Sequence, residues 1–520
     1  MAKFKFSSLL HPSSSKPAQS ADRTQKSNRQ SFSALSSHSI LKHQEASSSQ
    51  ASTTNATTPK STDALETGRS PSRMAELATK IVTETAKVEE YMRDNGMELP
   101  GFEVHSPADF PSMPEEVQQS RLEVIHATSE LQRLIQGPKQ TMRWMIWNFL
   151  DSVSLQIIYS YGLALLVPKE GTISLEELAS KTTLDRTNLA RVLRYAMTSG
   201  VFCEPIPGHI GHTSASAALM EDKALADWIG FNSEDIFPSS AHVLKALRAY
   251  PEATSLVQTG FNFAFDTVNK EPMFVTFGKD PTRAKRMGGA MASLTGGEGY
   301  EVSHLVDGGY DFGDVDARGG TMVDIGGSHG FVCVDLAKKY SNMKFVVQDL
   351  PKTVESAPNP VSDDSQVAER IELQAHDFFT EQKVKDADVY FFRWIMHNYS
   401  TPYAVKILKN LVPALKPGAK ILINDHCVRK PGSETPWDER LIRGMDMVML
   451  TLLNAQERDE EEFKALFSAA DDGYVFKGVT RKEGCRMSVV EAVWRPQLVG
   501  KGKEAAIERE GKADGDEDMA

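Results

Sequence analysis

The sequence predicts an α/β protein: a parallel, doubly wound sheet preceded by a long helical region. Three observations carry this. From Gly320 onward, short apolar segments alternate with helix-periodic ones: MVDIGG, FVCVDLAKKY, KFVVQDL, IELQAHDFF, DVYFFRWIMH, AVKILKNLVPAL and AKILINDHCV. Buried strands alternating with helices make a parallel sheet covered on both faces. Within this alternation, TMVDIGGSHG reads as a buried strand, a tight glycine turn and a helix start. Earlier, ISLEELASKTTLDRTNLARVLRYAMTSGVFCEP reads as a helix, a turn, a second helix and a short strand.

The chain has 520 residues, enough for several structural units, and 40% of them are hydrophobic, enough for a sizeable core. The formal net charge of -12 argues against a general nucleic-acid or polyanion-binding role. Cys203, Cys333, Cys427 and Cys485 are scattered with no C-x-x-C. That argues against a zinc ribbon or disulfide framework and fits a reducing compartment. No His, Asp and Glu cluster has metal-ligand spacing, so no metal is expected. No apolar run reaches membrane-spanning length, so no membrane partner is expected.

Residues 1–72 are rich in Ser, Thr and Gln and poor in aromatics. Such a segment buries too little apolar surface to offset chain entropy, and a disordered tail is expected. Residues 1–40 share the composition of a mitochondrial transit peptide but lack a sustained amphipathic helix, so a cytoplasmic location is expected. Residues 498–520 form a charged tail expected to behave like the first.

Residues 73–300 are expected to be helical. MAELATKIVTETAKVEEYMRD and SRLEVIHATSELQRLIQG have apolar residues at helical spacing. MRWMIWNFLDSVSLQIIYSYGLALLV, with Trp144, Trp147 and Phe149, is too polar for a membrane span and reads as buried or facing another subunit. The helix-turn-helix carries Arg186, Arg191 and Arg194 but no dense basic face, so packing and dimerisation are favoured over DNA recognition. The irregular helical stretch from Asp222 to Gly299 carries aromatics and methionines, read mostly as core. A last helix, EEFKALFSAADDGY, and two closing strands, FKGVTRKE and RMSVVEAVW, end the body.

In the glycine turn, Asp324 precedes Gly326, Gly327 and Gly330. Glycines let the backbone pass close to a ligand, and the exposed N–H groups of the helix start favour an anionic group. Asp349 follows roughly 20 residues later, at the end of the next strand, where such sheets place an acid on ribose hydroxyls. The pair reads as a nucleoside pocket. The order D-x-G-G-S-H-G is not the dinucleotide fingerprint G-x-G-x-x-G. It resembles motif I of S-adenosylmethionine-dependent methyltransferases, D/E-x-G-x-G-x-G, with Ser328 where the middle glycine is expected.

The order of segments extends the resemblance. DIGGSHG is followed by QDLP, HDFF, FFRWIMHNYS and KPGAKILINDH. Over about residues 75–495 the chain resembles the small-molecule O-methyltransferases of the plant caffeate and flavonoid type. It is most similar to fungal relatives that methylate phenols in aromatic polyketide pathways. The resemblance implies a Rossmann-like catalytic domain over 301–497 that binds S-adenosylmethionine. It also implies a winged-helix dimerisation and acceptor-binding region over 73–300, and hence a homodimer acting on an aromatic small molecule. Gly326, Gly327 and Asp324 would line the methionine part of the cofactor, and Asp349 with Leu350 the ribose. Asp377 and Phe378 would hold the adenine. Arg393, also counted among the cofactor-binding residues, stands where the family usually has Lys. His397 matches the catalytic histidine of W-x-x-H-D-W, with Asn398 and Tyr399 replacing the Asp and Trp. Asp425 and Glu457 match the acids flanking it, and Met291 a methionine that packs on the acceptor ring.

The chemistry is intelligible from the residues. A phenol has a pKa of about 10 and is mostly neutral at physiological pH. Attack on a sulfonium methyl needs its proton to leave, and a neutral His is a suitable base. His397 follows the strand DVYFF, at the end where open α/β sheets gather ligands. His329 and His426 read instead as surface or supporting residues. Glu457 lies in the acidic run ERDEEE, which also fits a solvated helix start. Two other readings remain open: a methyltransferase-like regulator or scaffold without catalysis, and an NAD(P)-dependent oxidoreductase.

Overall fold

The computed structural model describes residues 70–297 and 299–496. The expected tails, 1–72 but for its last three residues and 498–520, lie outside them. A helix over Arg73–Asp94 opens the body, capped by the Ser72 side chain, and buries Leu77, Val88 and Met92. It packs on Glu115–Met145, a helical stretch interrupted at Gly137, where φ is 70° and Pro138 follows. Proline cannot continue the preceding hydrogen-bond ladder, so the break falls there.

The apolar segment that follows is not buried within the single chain. Met142, Trp144, Met145, Ile146, Trp147 and Phe149 are between 48% and 71% exposed. They form the end of one helix, a turn, and the start of the helix Phe149–Ser160. Gly162, at φ 60°, ends that helix before a short one over Leu163–Leu166.

Next come β1 (Ile173–Ser174), helices Leu175–Ser180 and Arg186–Met197, β2 (Cys203–Ile206) and β3 (His209–Gly211). The strands form an antiparallel sheet in the order β1-β3-β2. Leu175, Leu178, Leu189, Leu193, Phe202 and Ile210 fill its core. Two of the three arginines of this unit are engaged at home: Arg194 donates twice to Glu204, at 2.7 Å each, and Arg186 to Glu176 at 2.5 Å.

The helix Lys223–Phe231 runs into a π-helical turn, Asn232–Ile236. There Asp235 is fully buried against Arg283 and Arg286, each at 2.7 Å. The helix Pro281–Thr295 lies close on Lys223–Phe231 at Gly289, where a Cβ would come within 2.2 Å of Asp227.

The large sheet has seven strands: β4 (Thr321–Ile325), β5 (Lys344–Asp349), β6 (Ile371–Ala375), β7 (Val389–Arg393), β8 (Lys420–Asp425), β9 (Tyr474–Thr480) and β10 (Ser488–Trp494). Their order is β6-β5-β4-β7-β8-β10-β9. The first five are parallel; β10 is antiparallel to both β8 and β9. Chain order reverses direction between β4 and β7, the point where such sheets open a crevice at their carboxyl ends.

The sequence reading passed over the long helix Pro436–Leu453. It carries a start signal, the Thr435 cap before Pro436, and buries Ile442, Met449, Leu452 and Leu453. It packs against Gly260–Ala264 and Phe237–Ser240, so the core beside β4, β7 and β8 also takes in Phe231, Phe261 and Phe277. Among the described residues no helix is long and apolar enough to cross a membrane.

Candidate active site

Four of the expected elements open on one rim. The carboxyl ends of β4, β5, β6 and β7 carry the glycine turn, Asp349, Asp377 and His397. The turn is close-packed by protein atoms. A Cβ on Gly326 would come within 2.5 Å of Ile395, and one on Gly327 within 2.4 Å of Asp324. Ser328 takes the left-handed conformation that motif I gives to glycine, φ 53°. Its N–H donates to Asp349 Oδ2 at 3.0 Å, and the N–H of Leu350 to Oδ1 at 2.7 Å. Asp349 therefore holds the turn of β4 to the end of β5. Each of its oxygens keeps a lone pair for a further donor.

Asp324 is buried under the turn with Cys333 Sγ 3.5 Å from its carboxylate. Burial pushes its pKa up to about 7, Cys333 opposes this and Asp349 adds to it. Asp377 is exposed and accepts from the N–H of Phe379 at 2.9 Å. Phe378 is half-buried, packs against Tyr399 at 5.7 Å, and lies beside Gly326. Glycine turn, ribose-type acid and aromatic face thus share one edge and suit a nucleoside.

His397 sits on a single 3₁₀ turn, Met396–Asn398, after β7. Its Nδ1 is 2.9 Å from Glu457 Oε1, and its backbone N–H donates to Asp425 Oδ2 at 3.0 Å. His397, Asp425 and Glu457 are 6%, 0% and 4% exposed, so the three predicted residues form one buried cluster. Burial opposes the charged imidazole, but the Glu457 carboxylate, helped by Asp425, outweighs it and raises the His397 pKa. Burial would raise Glu457; His397 and His426 overcome this and bring it down to about 2. Asp425 is raised, chiefly by burial.

Other predicted residues take more local roles. Arg393 bonds to the Asn424 side chain and, at 2.5 Å, to the Tyr300 carbonyl. Asn398 does not replace a partner of the histidine; its amide donates to the Trp394 carbonyl at 2.7 Å and closes the turn. Leu350 is 54% exposed and opens the helix Pro351–Ser356. Met291 is 38% exposed on the helix Pro281–Thr295. His329 bonds to Ser356 near the surface, as its position in the turn suggested.

Three residues were missed or underrated. Arg458, 1% exposed, donates to the carbonyls of Met396 at 2.8 Å and Tyr399 at 2.6 Å, the two sides of the His397 turn. His426, read as surface or supporting, is fully buried. Trp394 packs its ring 4.8 Å from His397 and 5.0 Å from His426. The strand-end positions of His426 and Trp394 were the available signal; Arg458, inside an acidic run, gave none.

Residues 261–474 match the O-methyltransferase domain family. A chlorophenol O-methyltransferase of Trichoderma longibrachiatum is 58% identical over 429 residues, 82% of this chain and 92% of that protein. An O-methyltransferase of Penicillium aethiopicum is 36% identical over 426 residues, 82% and 99% of the two chains. The crystal structure of OxaC in complex with SAH and oxaline shares the fold, with a TM-score of 0.64 at 24% identity, covering 82% of this chain and all of that one (100%). With its rim of nucleoside-type residues and its buried histidine, the chain belongs to the O-methyltransferase family.

Proposed function

We propose that this enzyme methylates a phenolic hydroxyl of an aromatic small molecule, a polyketide-type secondary metabolite, using S-adenosylmethionine and His397 as general base. One observation carries the mechanism: His397 Nδ1 lies 2.9 Å from the buried Glu457 carboxylate, on the turn that follows β7, the strand beside β4 and its glycine turn. The phenolic class is supported by the chlorophenol-methylating relative.

Asp349 with Leu350 would hold the ribose, Asp377 and Phe378 the adenine, and Gly326, Gly327 and Asp324 the methionine part. Arg393, which bonds to the Tyr300 carbonyl, is assigned to the cofactor as well. When bound, S-adenosylmethionine supplies a methyl group activated by a sulfonium. The chain's part is to hold and move a proton. With Nδ1–H directed to Glu457, the Nε2 lone pair of His397 is left to accept the phenolic proton. Glu457 and Asp425 then stabilise the imidazolium. Met291 is assigned to the acceptor ring, as the resemblance implies.

The two-helix, three-strand unit is read as a winged helix used for packing. The exposed apolar surface around Trp144 and Trp147 is read as the face of a homodimer. The cytoplasm is the proposed location. Incubation with labelled cofactor and a panel of phenols and anthraquinones, read by mass spectrometry, tests the function. Cofactor binding with no labelled product from any phenol would favour a regulator without catalysis.

A further inference from the structure

We infer that His426 is a positioning residue that shares the Glu457 carboxylate with His397 and moderates how strongly that carboxylate draws a proton onto the base. The inference rests on the reading of His397 as base.

Four observations carry it. His426 follows Asp425 directly at the end of β8 and has 0% exposure. Its Nδ1 lies 3.4 Å from Glu457 Oε1, the same oxygen that meets His397 Nδ1 at 2.9 Å. That approach is long and angled, yet Nδ1 has no other partner among the described residues. Its Nε2 lies 3.3 Å from the Tyr300 hydroxyl. The rings of Tyr300, at 5.5 Å, and Trp394, at 5.0 Å, hold the imidazole in this orientation.

A tautomer with the proton on Nδ1 satisfies both ends: Nδ1–H toward the carboxylate, and Nε2 accepting from the tyrosine hydroxyl. One carboxylate oxygen has two lone pairs and can serve two imidazoles. In a dry site each donor on it matters, because no water replaces a lost one. A donor from His426 spreads the charge of Glu457 and weakens its pull on the His397 proton. The other groups bearing on this pair are Asp425, beside it on β8, Arg458, next to Glu457 in the chain, and Asp446, which accepts the Glu457 backbone N–H at 2.9 Å. Arg486 lies over the Tyr300 ring at 5.6 Å, and Arg393 bonds to the Tyr300 carbonyl. His426 Nδ1 meets Glu457 directly, so removing this donor leaves more charge for His397.

The test is single-turnover methyl transfer across pH, with saturating cofactor, in wild type, His397→Gln, His426→Phe and His426→Asn. Phenylalanine keeps the packing and removes both nitrogens. Asparagine keeps an N–H near the Nδ1 position and gives up the tyrosine contact. His426→Phe is expected to move the midpoint of the pH–rate profile upward by about half to one unit. The rate below that midpoint falls about three- to tenfold, the same shift read as rate. His426→Asn is expected to restore the wild-type midpoint, and both variants to bind S-adenosylhomocysteine normally. An unmoved midpoint in His426→Phe, or an equal shift in His426→Asn, overturns the inference. If His397→Gln itself keeps the wild-type rate, it is the base assignment that fails. Should His426→Phe not fold, ¹⁵N-histidine spectra of the wild-type enzyme decide the matter: His426 carrying its proton on Nε2 instead of Nδ1 overturns the inference.

Discussion

Arg458 donates to the carbonyl of Met396 at 2.8 Å, one residue before His397 in the chain. A second bond, to Tyr399 at 2.6 Å, clamps the far side of the same turn. Arg458 is itself fixed to the exit of β8, where its carbonyl accepts from Val428 at 2.9 Å. One buried cation thus ties together the segments that present His397, Asp425 and Glu457. It also offsets part of the negative charge of two carboxylates that burial would otherwise make costly.

Arg458→Met is expected to destabilise the fold by about 3–5 kcal/mol, the cost of leaving buried carboxylates and carbonyls without their partner. Urea unfolding is the measurement. A variant with the wild-type midpoint and slope would mean that the turn stands without the guanidinium.

Asp349→Ala removes the acceptor assigned to the ribose and also the one that receives the Ser328 and Leu350 N–H groups. S-adenosylhomocysteine affinity is expected to fall by about 1.5–3 kcal/mol, the range for hydrogen bonds to a charged group. Calorimetry on the folded variant checks this, and unchanged affinity would remove the assignment. Ser328→Gly should do the opposite to stability. Relief of a left-handed serine is expected to contribute up to about 1 kcal/mol in thermal or urea unfolding, with cofactor affinity kept.

The sheet was legible because buried parallel strands are continuous apolar runs, a one-dimensional signal. His397 was legible because its motif places it at a strand end. By charge pattern alone Glu457 and Arg458 look like their neighbours in ERDEEE; only the resemblance singled out Glu457, and nothing singled out Arg458. Only Asp459 and Glu462 of that run form a helix cap, each accepting the other's backbone N–H. Glu457 turns inward because of an imidazole 60 positions away in the chain. A charge pattern read along the sequence cannot report that contact. The surface around Trp144 was half legible: its hydrophobicity was plain, while its outward direction depends on the break at Gly137 and the turn before Phe149.

Trp147, 54% exposed and edge-on to Trp144 at 5.6 Å, lies on the proposed homodimer face. A charge buried there without a partner would be costly to association. Trp147→Glu is expected to convert a dimer to a monomer in light scattering at micromolar concentration while leaving the monomer folded. A wild-type chain that is already monomeric and fully active would sink the dimer reading.

The pH dependence of turnover follows from the His397–Glu457 pair. The imidazole pKa lies above its ordinary value of about 6.5, because the Glu457 carboxylate outweighs the effect of burial. Below that raised pKa the base already holds a proton and cannot take one from the phenol. The single-turnover rate is therefore expected to rise with pH through a midpoint above 6.5, then level off. Glu457→Gln removes the charge that raises the pKa while keeping a polar end, so the midpoint should move down and the plateau fall. His397→Gln should lose the rise altogether and reduce turnover by about 10²–10⁴-fold, the usual contribution of a general base. Neither substitution touches the residues assigned to the nucleoside, so S-adenosylhomocysteine affinity should stay near wild type in both. A Glu457→Gln midpoint equal to or above the wild-type one would mean that the carboxylate does not set the protonation of His397. A His397→Gln enzyme with the wild-type rate and profile would place the base elsewhere.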